Sequence, residues 1–199
     1  MVYGHHIIFG MYGFWLPNDP RGSWSDFVGA WELLQFGKAT TTTARKSVAA
    51  IAHDRAARQA AKSSLKYPPV CLTGIQARAV GHGFSGAAGK SRFQIWACAI
   101  MADHVHLVVA RHRLKAEQIA NLLKGDATRE LKRVGIHPLE RYTSGEGRLP
   151  KAFAQGEWKV FLNSAEQIAR AIRYVEDNPT KEGLPRQKWS FVQPFEGFD

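Results

Sequence analysis

Apolar residues recur along the chain in two rhythms. In His104-Val105-His106-Leu107-Val108-Val109 successive side chains of an extended strand alternate faces, so Val105, Leu107 and Val109 share one face and His104 and His106 the other. A strand is therefore predicted over 104–110. RFQIWACAIM predicts a neighbouring strand over about 92–101, with Ala102-Asp103 as a tight link, and HHIIFGMYGF a first strand running into the turn-rich WLPNDPRGSWS. Helices are predicted over about 41–64, Ala-rich and with Thr43 as a candidate cap, over 72–88, where Gly81, Gly83 and Gly86 weaken the pattern, and over 115–134, where Ile119, Leu122, Leu123 and Leu131 recur at helical spacing. A last helix is predicted over 164–177. Ser164 and Gln167 form a capping-box pair at its start, and Ala165, Ile168, Ile172 and Val175 form its apolar stripe. Tyr174 lies roughly 120° from the centre of that stripe, on a face shared with Gln167 and Asn178. Pro179 predicts that the helix ends at Asn178. Strands and helices in this order, with a hairpin in the middle and no internal repeat, predict an α+β fold: one domain over 1–199, its mainly antiparallel sheet flanked by helices.

Composition sharpens the picture. At 199 residues and 45% hydrophobic the chain can bury a substantial core. Lys plus Arg number 27 against 17 Asp plus Glu, a formal charge of +10, which points to an anionic partner, nucleic acid before membrane. No apolar run approaches a spanning helix and the N-terminus has no signal-peptide pattern, so a cytoplasmic protein that does not enter membranes is expected. The charge is concentrated: residues 38–66 carry seven basic groups and one acidic group. Arg45, Lys46, Arg55, Arg58, Lys62 and Lys66 would line the predicted basic helix, either as a solvated face or as contacts to DNA phosphates. Cys71 and Cys98 form no Cys-x-x-Cys and read as small buried side chains.

The candidate chemistry lies in two places. Two neutral imidazoles side by side on a strand can converge on one divalent cation, or can be partners in a surface hydrogen-bond network. Tyr174, off the apolar stripe, is placed for use of its hydroxyl or as a half-buried surface ring. Asn178 sits one turn on from it. Phe14, Trp15 and Trp24 flank the loop 17–23, where aromatic faces either stack unpaired bases or pin the loop to the core; Arg21 in that loop is a candidate for phosphate or base contact. His5 and His6 alternate faces, so at most one can approach the histidine pair, and both read as structural.

Met101-Ala-Asp-His-Val-His-Leu-Val-Val109 resembles the histidine-hydrophobe-histidine strand of the HUH single-tyrosine transposases of bacterial insertion sequences and of their relatives, the REP-associated tyrosine transposases. Arg173-Tyr-Val-Glu-Asp-Asn-Pro179 resembles that family's catalytic-tyrosine helix, and Trp158-Lys-Val-Phe161 resembles the segment ahead of it. The resemblance implies an HUH-type sandwich in which His104 and His106 bind a divalent ion, Mg²⁺ or Mn²⁺. It also implies Asn178 as third ligand, where some members carry Gln, and Tyr174 as the nucleophile. The implied partner is single-stranded DNA beside a hairpin, cut and rejoined through a 5′-phosphotyrosine in the bacterial cytoplasm, in association with the nucleoid. Free tyrosine ionises near pH 10, so roughly one in a thousand is ionised at pH 7 and attack needs a base that the sequence does not name. Relatives act as dimers that exchange the tyrosine helix or as monomers, so a homodimer stays open. An HUH replication initiator or relaxase-like nuclease, and a non-catalytic hairpin-binding module, are the other readings of the same residues.

Overall fold

The computed structural model describes residues 1–44, 48 and 50–198. Four strands, β1 (Gly4–Gly10), β2 (Ile95–Ile100), β3 (His104–Ala110) and β4 (Trp158–Leu162), form one sheet in the order β2-β3-β1-β4, and every neighbouring pair is antiparallel. The helices are α1 (Arg55–Ser63), α2 (Gly74–Ser91), α3 (Ala116–Arg133) and α4 (Ala165–Lys181). The α+β class, the antiparallel sheet and its flanking helices are as the sequence predicts. None of the described helices is long and apolar enough to cross a membrane.

The pleat of β3 sorts its residues between two cores. Val105, Leu107 and Val109 join Ile7, Phe9 and Met11 in a core with residues of α2 and α3, while Val108 joins Ala97, Ala99 and the α4 residues Ile168, Ala171 and Val175 on the opposite face. A register shift between Ile95 and Ala97 lets both Trp96 and Ala97 enter the α4-side cluster, the two-for-one arrangement of a bulge.

The structure corrects the sequence reading at three elements and one cysteine. The basic helix is shorter than 41–64: α1 begins at Arg55, capped by Asp54, whose side chain accepts the N–H of Ala57 at 2.9 Å. Among the described residues no helix starts at Thr43, because the backbone just before it is bonded to the 17–23 loop. Thr40 donates its N–H to Pro17 and Thr42 to the carbonyl of Ser23, which holds 40–42 extended. The last helix runs through Asn178 and Pro179 to Lys181; a proline in the final turn forfeits one hydrogen bond, and Pro179 is buried. The segment 158–162, outside every predicted strand, pairs with β1 as the edge strand β4. Cys71 is exposed, unlike the buried Cys98, and both are free.

Gly83 of α2 serves its packing on α3. A Cβ on Gly83 would lie 2.5 Å from the Ala127 Cα, so the two backbones meet where a methyl group has no room. Gly83→Ala is expected to destabilise the protein by about 1–3 kcal/mol through overpacking, even though Ala is a better helix former than Gly by about 1 kcal/mol. Urea unfolding measures it, and a stabilised variant would contradict the close approach.

Candidate active site

The register of β1 on β3 pairs Ile8 with His106 and Gly10 with His104, so His6, two residues before Ile8, points to the same face as both histidines. Its Nε2 lies 3.1 Å from His106 Nδ1. The Nδ1 of His104 is taken by Asp103, at 2.8 Å from Oδ1. Both rings thus have Nδ1 engaged and, among the described residues, no protein partner on Nε2. Phe14 stacks on His104 at 4.9 Å between ring centroids.

Tyr174 arrives from α4. The start of that helix is set by Ser164, whose hydroxyl accepts the Gln167 N–H; the Gln167 side chain accepts from Asn163 rather than from Ser164, so half of the predicted box forms. The buried stripe is Ile168, Ala171, Val175 and Pro179, a small rotation from the predicted one. Tyr174 stays off it, 40% exposed, with its ring edge-on to His106 at 5.6 Å and to His6 at 5.7 Å. The Lys181 ammonium sits 4.9 Å from the same ring. One turn after Tyr174, the half-buried Asn178 has an amide nitrogen that is buried without a partner.

Burial governs the electrostatics. It lowers His6 to about 4, and burial first, then the charges of His104 and His6, holds His106 well below its ordinary value. At neutral pH both are neutral imidazoles, the form that ligates metals. Among the described residues no group of three or more His, Cys, Asp or Glu side chains is placed to hold a metal ion. The two open Nε2 atoms of His104 and His106 are imidazole donors of the kind that take a divalent cation; Asn178 can add only its amide oxygen, because its partnerless amide nitrogen donates hydrogen bonds and does not ligate.

The other candidates fall in different places. Arg21 is turned inward rather than toward a ligand: its side chain is 6% exposed, bonded to both oxygens of Asp19, and its guanidinium covers Trp15 at 4.4 Å. Its work is to hold the loop. Trp15 stacks on Trp24 and Trp24 on Trp158, at 5.8 and 4.5 Å, so the aromatic loop is pinned to β4 beside the site and its ring faces are largely taken by one another. Arg55 is exposed and Arg58 and Lys62 are half-buried on α1. Burial first, then the charges of Arg58 and Arg21, lowers the Lys62 ammonium against the opposing pull of Asp103 and Asp19, which sets α1's cations near the carboxylate that holds His104. Arg45 and Lys46 lie outside the described residues. His6 is the residue the sequence reading missed. Strand alternation allowed it, but the β1–β3 register that brings it to His106 is not written in the sequence.

The chain belongs to the IS200-like transposases: the model of that family, described as "Transposase IS200 like", matches residues 64–178, more than half the chain. Among solved structures, that of a REP-associated tyrosine transposase bound to a REP hairpin is 11% identical, covering 95% of this chain and 74% of that one with a TM-score of 0.49. The crystal structure of "a putative transposase from Deinococcus radiodurans R1" is 12% identical, covering 89% of this chain and 91% of that one with a TM-score of 0.45. No curated protein matches the chain.

The depressed histidines carry a stability consequence. A group whose folded pKa lies below its unfolded value of about 6.5 stabilises the fold fully above that value and loses the contribution as pH falls through the folded value, about 4 for His6. The melting temperature of metal-free protein is therefore expected to drop between pH 6.5 and 4, and to drop less in His6→Leu. Parallel curves for the two proteins would contradict the buried neutral His6.

Proposed function

We propose that this transposase-family chain, acting as one domain over residues 1–199, cleaves and rejoins single-stranded DNA beside a hairpin. Tyr174 is the nucleophile, and His104, His106 and Asn178 hold a divalent cation, Mg²⁺ or Mn²⁺. The observation that carries this reading is the packing of the Tyr174 ring against His106, whose Nε2, like that of the neighbouring His104, has no protein partner among the described residues. When bound, the cation polarises the non-bridging phosphate oxygens and offsets charge on the leaving oxygen.

The chain's own residues do the rest. The Tyr174 oxygen forms its bond to phosphorus as the bond from phosphorus to the 3′ oxygen breaks; the hydroxyl gives up its proton and the 3′ oxygen gains one. The products are a 5′-phosphotyrosyl enzyme and a free 3′-hydroxyl. Attack by another 3′-hydroxyl reverses the step and rejoins the strand, which separates a transposase from a simple nuclease. Asp103 and His6 act as positioning residues. For His106 to keep a lone pair on Nε2 its proton must sit on Nδ1, donated to His6 Nε2, and His6 fixes that tautomer. Lys181, over the Tyr174 ring, and Arg58 and Lys62 of α1 supply positive charge for the DNA backbone.

Tyr174→Phe is expected to abolish a denaturant-resistant protein–DNA band on 5′- and 3′-labelled hairpin oligonucleotides, and chelator to abolish it in the wild type; a band that survives in the variant contradicts the assignment. His6→Ala is expected to weaken Mn²⁺ binding, read by electron paramagnetic resonance, by about 10–100-fold, with partial rescue in His6→Asn. Unchanged Mn²⁺ affinity would remove His6 from the metal's support. Tyr174 lies beside the histidines of its own chain, so a single chain is sufficient for cleavage. Mixing Tyr174→Phe with His106→Ala is therefore expected to restore no adduct, whereas restored adduct would mean that the tyrosine helix is exchanged between subunits.

A further inference from the structure

At the end of the sheet remote from His104, the C-terminus of α2 and the segment following β3 form an open surface pocket of about 490 Å³ lined by Lys90, Ser91, Arg92, His112 and Arg113. The two segments that meet there contain no acidic residue, from Lys90 to Ala102 and from His104 to Ala116. Arg92 and Arg113 are exposed, and neither has an ion-pair partner among the described residues. Lys90 reaches Asp126 at 3.4 Å, yet its side chain remains 72% exposed. His112 Nδ1 accepts the N–H of Leu114 at 3.2 Å, so its neutral ring carries the proton on Nε2 and presents a donor; the Phe93 ring packs edge-on beside it.

Arg92 adds an independent observation. It is the one non-glycine among the described residues with a positive φ, 58°, in the left-handed conformation that closes α2. Glycine adopts that conformation without strain and is the common choice there. The chain keeps a charged side chain where backbone stability favours none, a pattern expected where the side chain has a ligand.

We propose that this pocket binds the phosphodiester backbone of the DNA substrate at a second point, about 20 Å from the tyrosine site. His112 lies six residues beyond His106, a span of about 20 Å for extended chain. The two guanidinium groups, the ammonium and the His112 and Ser91 donors match successive phosphate oxygens on one strand. The inference rests on the DNA-cleaving reading only for the identity of the anion.

Binding of a fluorescent stem-loop oligonucleotide with a single-stranded extension, followed by anisotropy over a salt series, tests the pocket. For Arg92→Gly the slope of log Kd against log salt is expected to fall by about 0.7, and for Arg92→Gly/Arg113→Ala by about 1.4, which is about five-fold weaker binding per lost contact at 0.1 M salt. Arg92→Gly is expected to melt about 2–4 °C higher than the wild type, so weaker binding cannot come from misfolding. Wild-type slope and affinity in the double variant would overturn the proposal, as would an equal loss in the charge-matched Arg141→Ala/Arg148→Ala. Calorimetric binding of inorganic phosphate to the wild type but not the double variant, with the DNA slope unchanged, would assign the pocket to a small free anion instead. Tyrosine-adduct formation by the wild type is measured alongside. Its absence, with the slopes changing as stated, would overturn the cleavage reading and leave the phosphate pocket standing.

Discussion

The pairing of β1 with β3 sets the geometry on which the rest of the molecule depends. With Ile8 opposite His106 and Gly10 opposite His104, one face of β3 gives Val105, Leu107 and Val109 to the larger core while the other holds the two imidazoles with His6 beside them. A slip of one residue would send the histidines into the apolar layer and the valines toward α4. The hydrophobic residues of β3 thus serve the site directly: burying them on the α2–α3 side is what aims the imidazoles at the other. Val108, on the imidazole face, packs with Trp96, Ala97 and Ala99 of β2 against α4, and α4 brings Tyr174.

Around that frame the site is assembled from segments far apart in the chain. Met11 at the end of β1 bonds the carbonyl of Asp103, and Phe14 covers His104, so the N-terminal loop braces the hairpin that carries the histidine pair. The aromatic series from Trp15 to Trp158 ties the same loop to β4, and the buried Arg21–Asp19 pair locks it from within. Charge meets the site in the same way. α1 sets Arg58 and Lys62 near Asp103, while the unpaired arginines at the other end of the sheet form a separate positive region. An extended polyanion can engage both ends of such a molecule, whereas a small ligand could use only one.

Much of this is legible in the sequence because period and burial coincide. β3 and α3 alternate or recur cleanly, and their bounds follow. The off-stripe position of Tyr174 is visible because α4 has one strong apolar stripe. Elements fixed by distant partners are not visible in this way. β4 is a short edge strand identified only by its pairing with β1, and the His6–His106 contact depends on a register between residues a hundred positions apart. The 40–42 segment reads as helix by composition but is held extended by hydrogen bonds to the 17–23 loop. Pro179 reads as a stop, yet burial at the end of α4 outweighs the one hydrogen bond it removes. Arg21 looks available in a polar loop and is instead consumed by the carboxylate two residues before it.

The central claim is that the exposed tyrosine beside the histidine pair, and no other side chain, carries the cleaved strand. Tandem mass spectrometry of the trapped protein–DNA species after trypsin and nuclease digestion tests it most directly, because cleavage after Arg173 and Lys181 releases Tyr174 on its own short peptide. The nucleotide is expected on that peptide, joined through its 5′ phosphate to the tyrosine oxygen. A nucleotide on any other residue, or one joined through a 3′ phosphate, would contradict it.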